Sequence, residues 1–293
     1  MSIRLKFNLA MFLVFALGFV AAAYLVDRLL LENAKDEVTL KARIMMEAAR
    51  SVRSYTVEEL RPLLNQVDTQ EFLAQTVPAF AATENMKRLR VAYPDYTYKE
   101  AALNPTNPEH KAAAWEEDII QYFRNYKGET EYSGVRSTPT GQYLFLARPF
   151  KITQEGCLVC HSTASVAPAS MVAKYGAHNG FGWKLNEIIG AQIVNVPMAI
   201  PIARADATFN LFMITLAGVF AAIWLVLNLF LHLIIIKRVN RIAARAEEIA
   251  RGDMSVEEFE QSGKDELSSL GHSFNLMYRS LASAVKLLDR TRP

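Results

Sequence analysis

Cysteine is scarce in this chain of 293 residues, which holds only Cys157 and Cys160, with two residues between them. A structural zinc site needs four ligands, and the sequence offers neither a second Cys-x-x-Cys pair nor a His-x-x-x-His pair to complete one. The segment around the two cysteines also lacks the strand–helix–strand pattern in which thioredoxin-like redox pairs occur. Structural zinc and thiol–disulfide exchange are therefore not the expected chemistry of this pair.

The chain also lacks a marked excess of charge. Its formal net charge is +2, and it has no basic stripe with interleaved aromatic residues of the kind that binds nucleic acid. Nucleic acid is therefore not an expected partner. Hydrophobic residues make up 51% of the sequence, and many of them fall in two long runs.

What the sequence does contain is the segment Cys157-Leu158-Val159-Cys160-His161. Two cysteines at this spacing with a histidine directly after the second form the attachment motif for a c-type haem. Each thiol can add to one vinyl group of the porphyrin, and His161 is then placed to bind the iron from the proximal side. The motif predicts one haem c per chain, with Cys157 and Cys160 as thioethers and His161 as the proximal iron ligand.

Two apolar runs of membrane-spanning length flank this motif, over residues 7–26 and 209–236. About 20 helical residues cross the roughly 30 Å bilayer core. Arg4 and Lys6 precede the first run and Lys237 and Arg238 follow the second, so the positive-inside rule places both of these ends in the cytoplasm. The other interpretation of the first run is a cleaved signal peptide. Its length favours a retained anchor.

These runs predict a membrane protein of four parts, in the cytoplasmic (inner) membrane. Residues 1–26 are the N-terminal transmembrane anchor, and residues 27–208 form a haem domain outside the cytoplasm. Residues 209–236 are the second transmembrane helix, and residues 237–293 form a cytoplasmic domain. This placement suits the haem motif, because c-type haem is attached outside the cytoplasm.

The periodicity of residues 27–208 predicts an α+β fold. Val38, Ala42, Met45 and Ala49 are spaced as one face of an amphipathic helix, which continues the first membrane helix as a stalk. Further helices are expected over residues 72–89 and 112–126, and strands on either side of a turn at residues 139–141 and over residues 188–197. Residues 91–110, which are rich in proline and asparagine, are expected to be irregular.

The cytoplasmic domain has two apolar seams spaced as in coiled coils: Val239, Ile242, Ala246 and Ile249, then Leu267, Leu270, Phe274, Met277 and Leu281. Together with the segments 250–253 and 265–267, this pattern resembles a HAMP linker. Val239 stands near the place of the proline that usually lies early in the first helix. HAMP units form parallel four-helix bundles from two chains, so the resemblance implies a homodimer through the HAMP and transmembrane helices. The alternative is an amphipathic tail lying on the membrane.

Several blocks between residues 40 and 200 resemble the bacterial periplasmic haem-c sensor domains with a PAS-like core, many of which precede HAMP linkers. The blocks are Thr76-Val77-Pro78-Ala79-Phe80, residues 98–108, residues 146–149, Cys157 to Ser162, Tyr175-Gly176 and residues 179–184. The resemblance implies a PAS-like extracytoplasmic domain that holds haem covalently on Cys157 and Cys160, with His161 as the proximal ligand.

The distal side of the iron is left open by this resemblance. Some members of the family use a cysteine thiolate from the segment that corresponds to Thr76–Phe80, and this sequence has no third cysteine. The iron is then five-coordinate, or bound by a methionine, or bound by a second histidine. The candidate side chains are Met45, Met46, Met86, Met171, Met198, His110 and His178.

The leading hypothesis is a transmembrane haem sensor of redox state or of a small ligand such as a diatomic gas. It would signal through the HAMP linker to a separate output protein, because no kinase, cyclase or chemotaxis segment is recognisable in this sequence. The alternative is a membrane-anchored c-type cytochrome that carries electrons to a redox partner or serves as an accessory subunit of a larger complex. No distal acid–base pair can be assigned, so we do not expect an enzyme.

Overall fold

The computed structural model describes residues 2–253, 255, 257–259 and 263–291. It divides into a unit of residues 25–210 and a unit that combines residues 1–24 with residues 211–293. Helices and an antiparallel sheet share the first unit, which confirms the predicted α+β class. The predicted domain boundaries after residues 26, 208 and 236 fall inside continuous helices and stay predictions.

The unit of residues 25–210 is built on a four-stranded antiparallel sheet with the order β1-β4-β3-β2. Strands β2 and β3 form the predicted hairpin, and β4 has the predicted bounds. Strand β4 is buried along most of its length, because β1 and β3 cover its two edges and helices cover both of its faces. The bounds are Thr97–Ala102 for β1, Tyr132–Thr138 for β2, Gly141–Lys151 for β3 and Ile188–Pro197 for β4.

Strand β1 corrects the expectation that residues 91–110 are irregular. The prolines lie outside the strand, which occupies the six residues Thr97–Ala102 between Pro94 and Pro105. Strands with one buried face usually alternate apolar and polar residues. In β1 the charged residue Glu100 occupies a buried position, so this alternation is broken and the strand was not recognised from the sequence.

Helices cover both faces of this sheet. Successive strand residues point to opposite faces: Leu144, Leu146 and Val194 pack with the first helix, whereas Phe145, Ala147 and Ile193 pack with the fourth. The bounds are Ile3–Tyr55 for α1, Arg61–Leu64 for α2, Pro78–Ala92 for α3, Ala114–Asn125 for α4, Leu158–His161 for α5 and Ala169–Tyr175 for α6.

Helix α1 confirms the predicted stalk, since it runs unbroken from the first apolar run to Tyr55 and buries Val38, Ala42, Met45 and Ala49. A π-helical turn, Thr56–Leu60, joins it to α2. Helix α3 begins at Pro78 rather than at residue 72. Proline favours the first turn of a helix, and it disfavours helical backbone in the residue before it.

The second unit contains the end of the second long helix and the two helices after it. Helix α7 spans Ala199–Phe230, a π-helical turn spans Leu231–Ile236, α8 spans Lys237–Ala250 and α9 spans Glu266–Thr291. Two helical stretches, residues 3–64 and 199–250, are long and apolar enough to cross a membrane, and only 6% of each apolar window is buried inside the protein. That exposure distinguishes them from the core helices of soluble proteins.

Within this unit, polar and aromatic side chains join the two apolar helices. Asn228 donates a hydrogen bond to the Asn8 side chain at 2.9 Å, and the rings of Phe15 and Phe220 stack with centroids 4.7 Å apart. Arg4 contacts His232. A hydrogen bond between side-chain amides is favoured in an apolar surrounding, where an unpaired amide is costly.

The predicted seam of α8 is confirmed, because Val239, Ile242 and Ala246 are half-buried and Ile249 is buried.

Asn275 of α9 is buried and holds the backbone of Phe259, which lies between α8 and α9. The Asn275 side chain accepts a hydrogen bond from the Phe259 N–H and donates one to the Phe259 carbonyl, each at 3.0 Å.

Candidate functional site

The haem-attachment motif lies in the loop between β3 and β4, where a 3₁₀ turn, Glu155–Cys157, leads into the short helix α5. Residues three and four apart lie on the same face of a helix, so helical backbone brings Cys160 and His161 to the same side as Cys157. Both cysteines are half-buried free thiols, and all three residues line a cavity of 1040 Å³ in the unit of residues 25–210.

The ring of His161 is held in one orientation. Its Nδ1 lies 2.7 Å from the Gly180 carbonyl oxygen. Because a carbonyl only accepts, Nδ1–H is the donor, and this assignment leaves the lone pair on Nε2. The ring also stacks on Trp183 with centroids 3.8 Å apart. Burial lowers the pKa of His161, so the neutral, metal-binding form is favoured.

The glycine-rich segment 179–184 supports His161 by close backbone approach. Gly180 has a φ of +83°, and a Cβ at this position would fall 2.0 Å from Thr106 Oγ1. The Asn104 side chain accepts a hydrogen bond from the Gly180 N–H at 3.2 Å and donates one to the Phe181 carbonyl at 3.3 Å. The Asn-Pro-Thr-Asn loop therefore fixes the carbonyl that orients the histidine.

Sequence reasoning missed a buried ion pair on the wall of the same cavity. Arg53 Nη1 lies 2.6 and 2.5 Å from the two carboxylate oxygens of Glu100, whose side chain is only 3% exposed. The Tyr98 hydroxyl donates to the same carboxylate at 2.7 Å, and Gln192 donates to that hydroxyl at 3.2 Å. The available signal was the position of Arg53, which follows Ala49 by four residues on the predicted buried face of the stalk.

Burial and charge act in opposite directions on this network. Burial by itself would lower the pKa of Arg53, but the charge of Glu100, the charge of Tyr98 and the hydrogen bond to Glu100 act together in the opposite direction, and the pKa is raised. Burial, followed by the charge of Glu100, raises the pKa of Tyr98 well above its ordinary value. The guanidinium also sits 4.8 Å from the centroid of the Phe150 ring, a cation–π arrangement.

The structure divides the candidate distal ligands into residues that line the cavity and residues that lie outside it. Four methionines lie in the packed core between α1, α3 and the sheet, and His178 is exposed in a loop outside the cavity. His110 and Met171 line the cavity, as does the segment Thr76–Phe80. The core methionines are Met45, Met46, Met86 and Met198.

These residues fit a covalently bound haem. The cavity is as large as the larger ligand pockets of proteins, two thiols reach it at the spacing of the attachment motif, and a neutral imidazole is aimed by its Nδ1–H bond. Two residues that line the cavity each contain a buried polar atom with no hydrogen-bond partner in the described chain: Thr83 Oγ1 and His110 Nδ1.

Two family models match the chain. The one described as Tll0287-like matches residues 31–197, more than half of the chain, and the one described as HAMP domain matches residues 230–283. No curated protein matches. The crystal structure of the cyanobacterial haem protein Tll0287 aligns with 19% sequence identity and a TM-score of 0.43, over 55% of this chain and 95% of that chain.

Proposed function

Because the chain belongs to the Tll0287-like family and carries a HAMP domain, we propose that it is a membrane-bound c-type haem sensor. The haem would respond to redox change or to a small ligand such as a diatomic gas, and the HAMP linker would pass its state to a separate output protein. The observation that carries the proposal is the complete attachment motif on the wall of a cavity of haem size.

The roles of the site residues follow from their chemistry. Cys157 and Cys160 each form one thioether, and two cysteines therefore account for one haem per chain. His161 binds the iron through Nε2, while its Nδ1–H bond to the Gly180 carbonyl fixes the ring and raises its basicity. The haem supplies an iron centre that changes oxidation state and binds small ligands.

The continuity of the chain supports signalling. Arg53, in the last turn of α1, lines the cavity, and α1 is one helix with the first apolar run. Gln192 of β4 also lines the cavity, and α7 begins two residues after β4 ends. A change around the haem can therefore bias both long helices, and a HAMP unit that has two packings would respond to that bias.

The surface of α9 supports a homodimer. Leu270, Met277 and Leu281 of the predicted second seam are 50%, 56% and 43% exposed in the single chain, although seam residues are expected to be buried. A second copy packed in parallel would cover them. By the positive-inside rule, the haem domain of this dimer faces the periplasm and the HAMP domain faces the cytoplasm.

The proposal is tested on the full chain purified in detergent micelles from a host that attaches c-type haem. A pyridine haemochrome spectrum should show haem c in the wild type and none in the variant C157A/C160A. If the wild type holds no covalent haem, the proposal is wrong.

Signalling is tested by distance measurement between subunits. Both native cysteines are consumed as thioethers, so a single introduced cysteine, His272→Cys on the exposed side of α9, accepts a spin label at one site. The distance between labels should differ among the ferric, ferrous and CO- or NO-treated ferrous states. Equal distances in all states, with rapid electron exchange with a partner and no response to gases, would identify an electron carrier instead.

A further inference from the structure

His110 is a cavity-lining residue with an unpaired ring nitrogen. Its Nδ1 is buried and has no hydrogen-bond partner among the described residues, and the residue lines the cavity that also holds His161. Leaving a buried polar atom without a partner destabilises the fold, and such atoms in native structures call for an explanation. The nearest explanation is a partner carried by the group that fills the cavity.

The backbone around His110 presents this ring from a fixed position. His110 ends the 3₁₀ turn Pro108–His110, and the Asn107 side chain accepts a hydrogen bond from the Glu109 N–H at 3.1 Å. The Glu109 carboxylate pairs with Lys87 of α3 at 3.0 Å. The Ala112 N–H then donates to the Ala102 carbonyl at 3.0 Å. Anchors on α3 and β1 therefore hold the turn on both sides.

The ionisation of His110 suits metal binding. Burial lowers its pKa, in the direction of the neutral imidazole, although Glu100 and Glu109 act in the opposite direction; Lys87 and Lys99 also face it and favour the neutral form. Neutral imidazole is the form that binds metals.

Met171 is the other cavity-lining candidate, and its burial has an ordinary explanation. It is 3% exposed on α6, and a thioether is a soft, largely apolar group that fills core space without needing a partner. His110 has no such explanation, because its imidazole carries a strong hydrogen-bonding atom that finds no partner in the part of the chain that the structure describes.

Resting on the haem site proposed above, we propose that the His110 imidazole binds the haem iron on the face opposite His161. The iron is then six-coordinate and low-spin, with one neutral imidazole donating a lone pair on each face. An external ligand such as CO must displace His110 before it binds, so the sensor would respond through release of this ligand.

The test uses the full chain in detergent, with haem content checked by pyridine haemochrome. The ferric wild type should give a low-spin spectrum by absorption and electron paramagnetic resonance. H110A should lose the low-spin signal, become high-spin, bind CO faster and recover a low-spin spectrum when imidazole is added. H178A, which alters an exposed histidine outside the cavity, and M171L should keep the wild-type spectrum.

A second variant covers the case in which H110A fails to retain haem. H110M offers a different sixth ligand, and His/Met coordination raises the reduction potential, so it should remain low-spin with a more positive potential. A low-spin spectrum in H110A, a high-spin wild type, an unchanged potential in H110M or loss of the low-spin signal in M171L would each overturn the assignment. Absence of covalent haem from the wild type would instead refute the proposed function.

Discussion

Helix α1 meets the sheet in two different ways within about four turns. Around Val38, Ala42, Met46 and Ala49, each fully buried, the contact is apolar and closely packed. At Arg53, one turn further on, the contact is an ion pair with Glu100 on the wall of the cavity. One face of one helix therefore passes from a filled core to a polar site.

This difference indicates which part of α1 can respond to a change around the haem. A close-packed core resists small displacements, because every side chain already touches its neighbours. The stability of a buried ion pair depends on the charges around it, and a haem iron changes its charge when it is reduced. We therefore expect substitutions in the core to alter stability without altering the haem spectrum, and substitutions of the buried ion pair to alter both.

The largest effect is expected from Glu100→Ala. Removing one partner of a buried ion pair leaves the other charge uncompensated, which costs about 3–5 kcal/mol. Tyr98 also loses its hydrogen-bond acceptor. The free energy of unfolding, measured by urea titration of the detergent-solubilised chain, should fall by about that amount. The matched double variant R53M/E100M should recover most of the loss. A loss below about 1 kcal/mol, as for an exposed pair, would contradict the buried-pair assignment.

Met46→Ala tests the packed end of the same helix. Met46 is fully buried between α1, α3 and the sheet, and truncating such a methionine costs about 2–5 kcal/mol. The haem absorption spectrum should remain that of the wild type, because Met46 lies outside the cavity lining. Leu40→Ala, on the same helix but 59% exposed, should change stability by less than about 0.5 kcal/mol. A shifted Soret band in M46A would contradict the expectation that the packed core does not affect the haem.

Gly180→Ala tests the support of His161. The substitution places a methyl group 2.0 Å from Thr106 Oγ1 and forces alanine into a positive φ of +83°. The strain alone costs about 1–2 kcal/mol, and relief of the clash must move the carbonyl that orients His161. Gly182→Ala is the control, since its φ is +79° and no atom of the described residues lies within 4 Å of the new methyl group. G180A should therefore be less stable than G182A and should alone perturb the axial-ligand bands of the haem spectrum.

The sequence predicted the parts of this comparison that depend on local pattern. The stalk, the β2–β3 hairpin and β4 were visible in the spacing of apolar residues, and the haem motif in the spacing of two cysteines and a histidine. The Arg53–Glu100 pair was not visible, because its partners lie 47 residues apart and meet only when α1 packs on β1. Strand β1 was missed because buried Glu100 breaks its alternation of apolar and polar residues, and the burial of Glu100 depends on this same pairing with Arg53. The place of His110 in the cavity likewise depends on tertiary anchors rather than on its own proline-rich segment.

The smallest effect is expected from Glu47→Ala, which removes the exposed partner of a second ion pair between α1 and the sheet and leaves the pair of Arg148 with Glu131 in place. Arg148 joins α1 to the sheet from outside, since it lies 2.5 Å from Glu47 of α1 and 3.1 Å from Glu131. The Glu47 side chain is 54% exposed, so solvent screens its charge. Pairs of this kind contribute about 0–1 kcal/mol, and E47A should lower the free energy of unfolding by no more than that, with no change in the haem spectrum.

The pH and salt dependence of this small effect separates it from the buried pair. The hydrogen bond from Arg148 is the main cause that lowers the pKa of Glu47 below its ordinary 4.5. A carboxylate whose pKa is lowered on folding stabilises the fold above its unfolded pKa and loses that contribution as the pH falls through the folded value. The stability gap between wild type and E47A should therefore close as the pH falls below 4.5 and shrink in high salt. The gap caused by Glu100→Ala should resist salt, because burial shields that pair from ions. Equal salt sensitivity of the two gaps would show that α1 meets the sheet through the same kind of contact at both places.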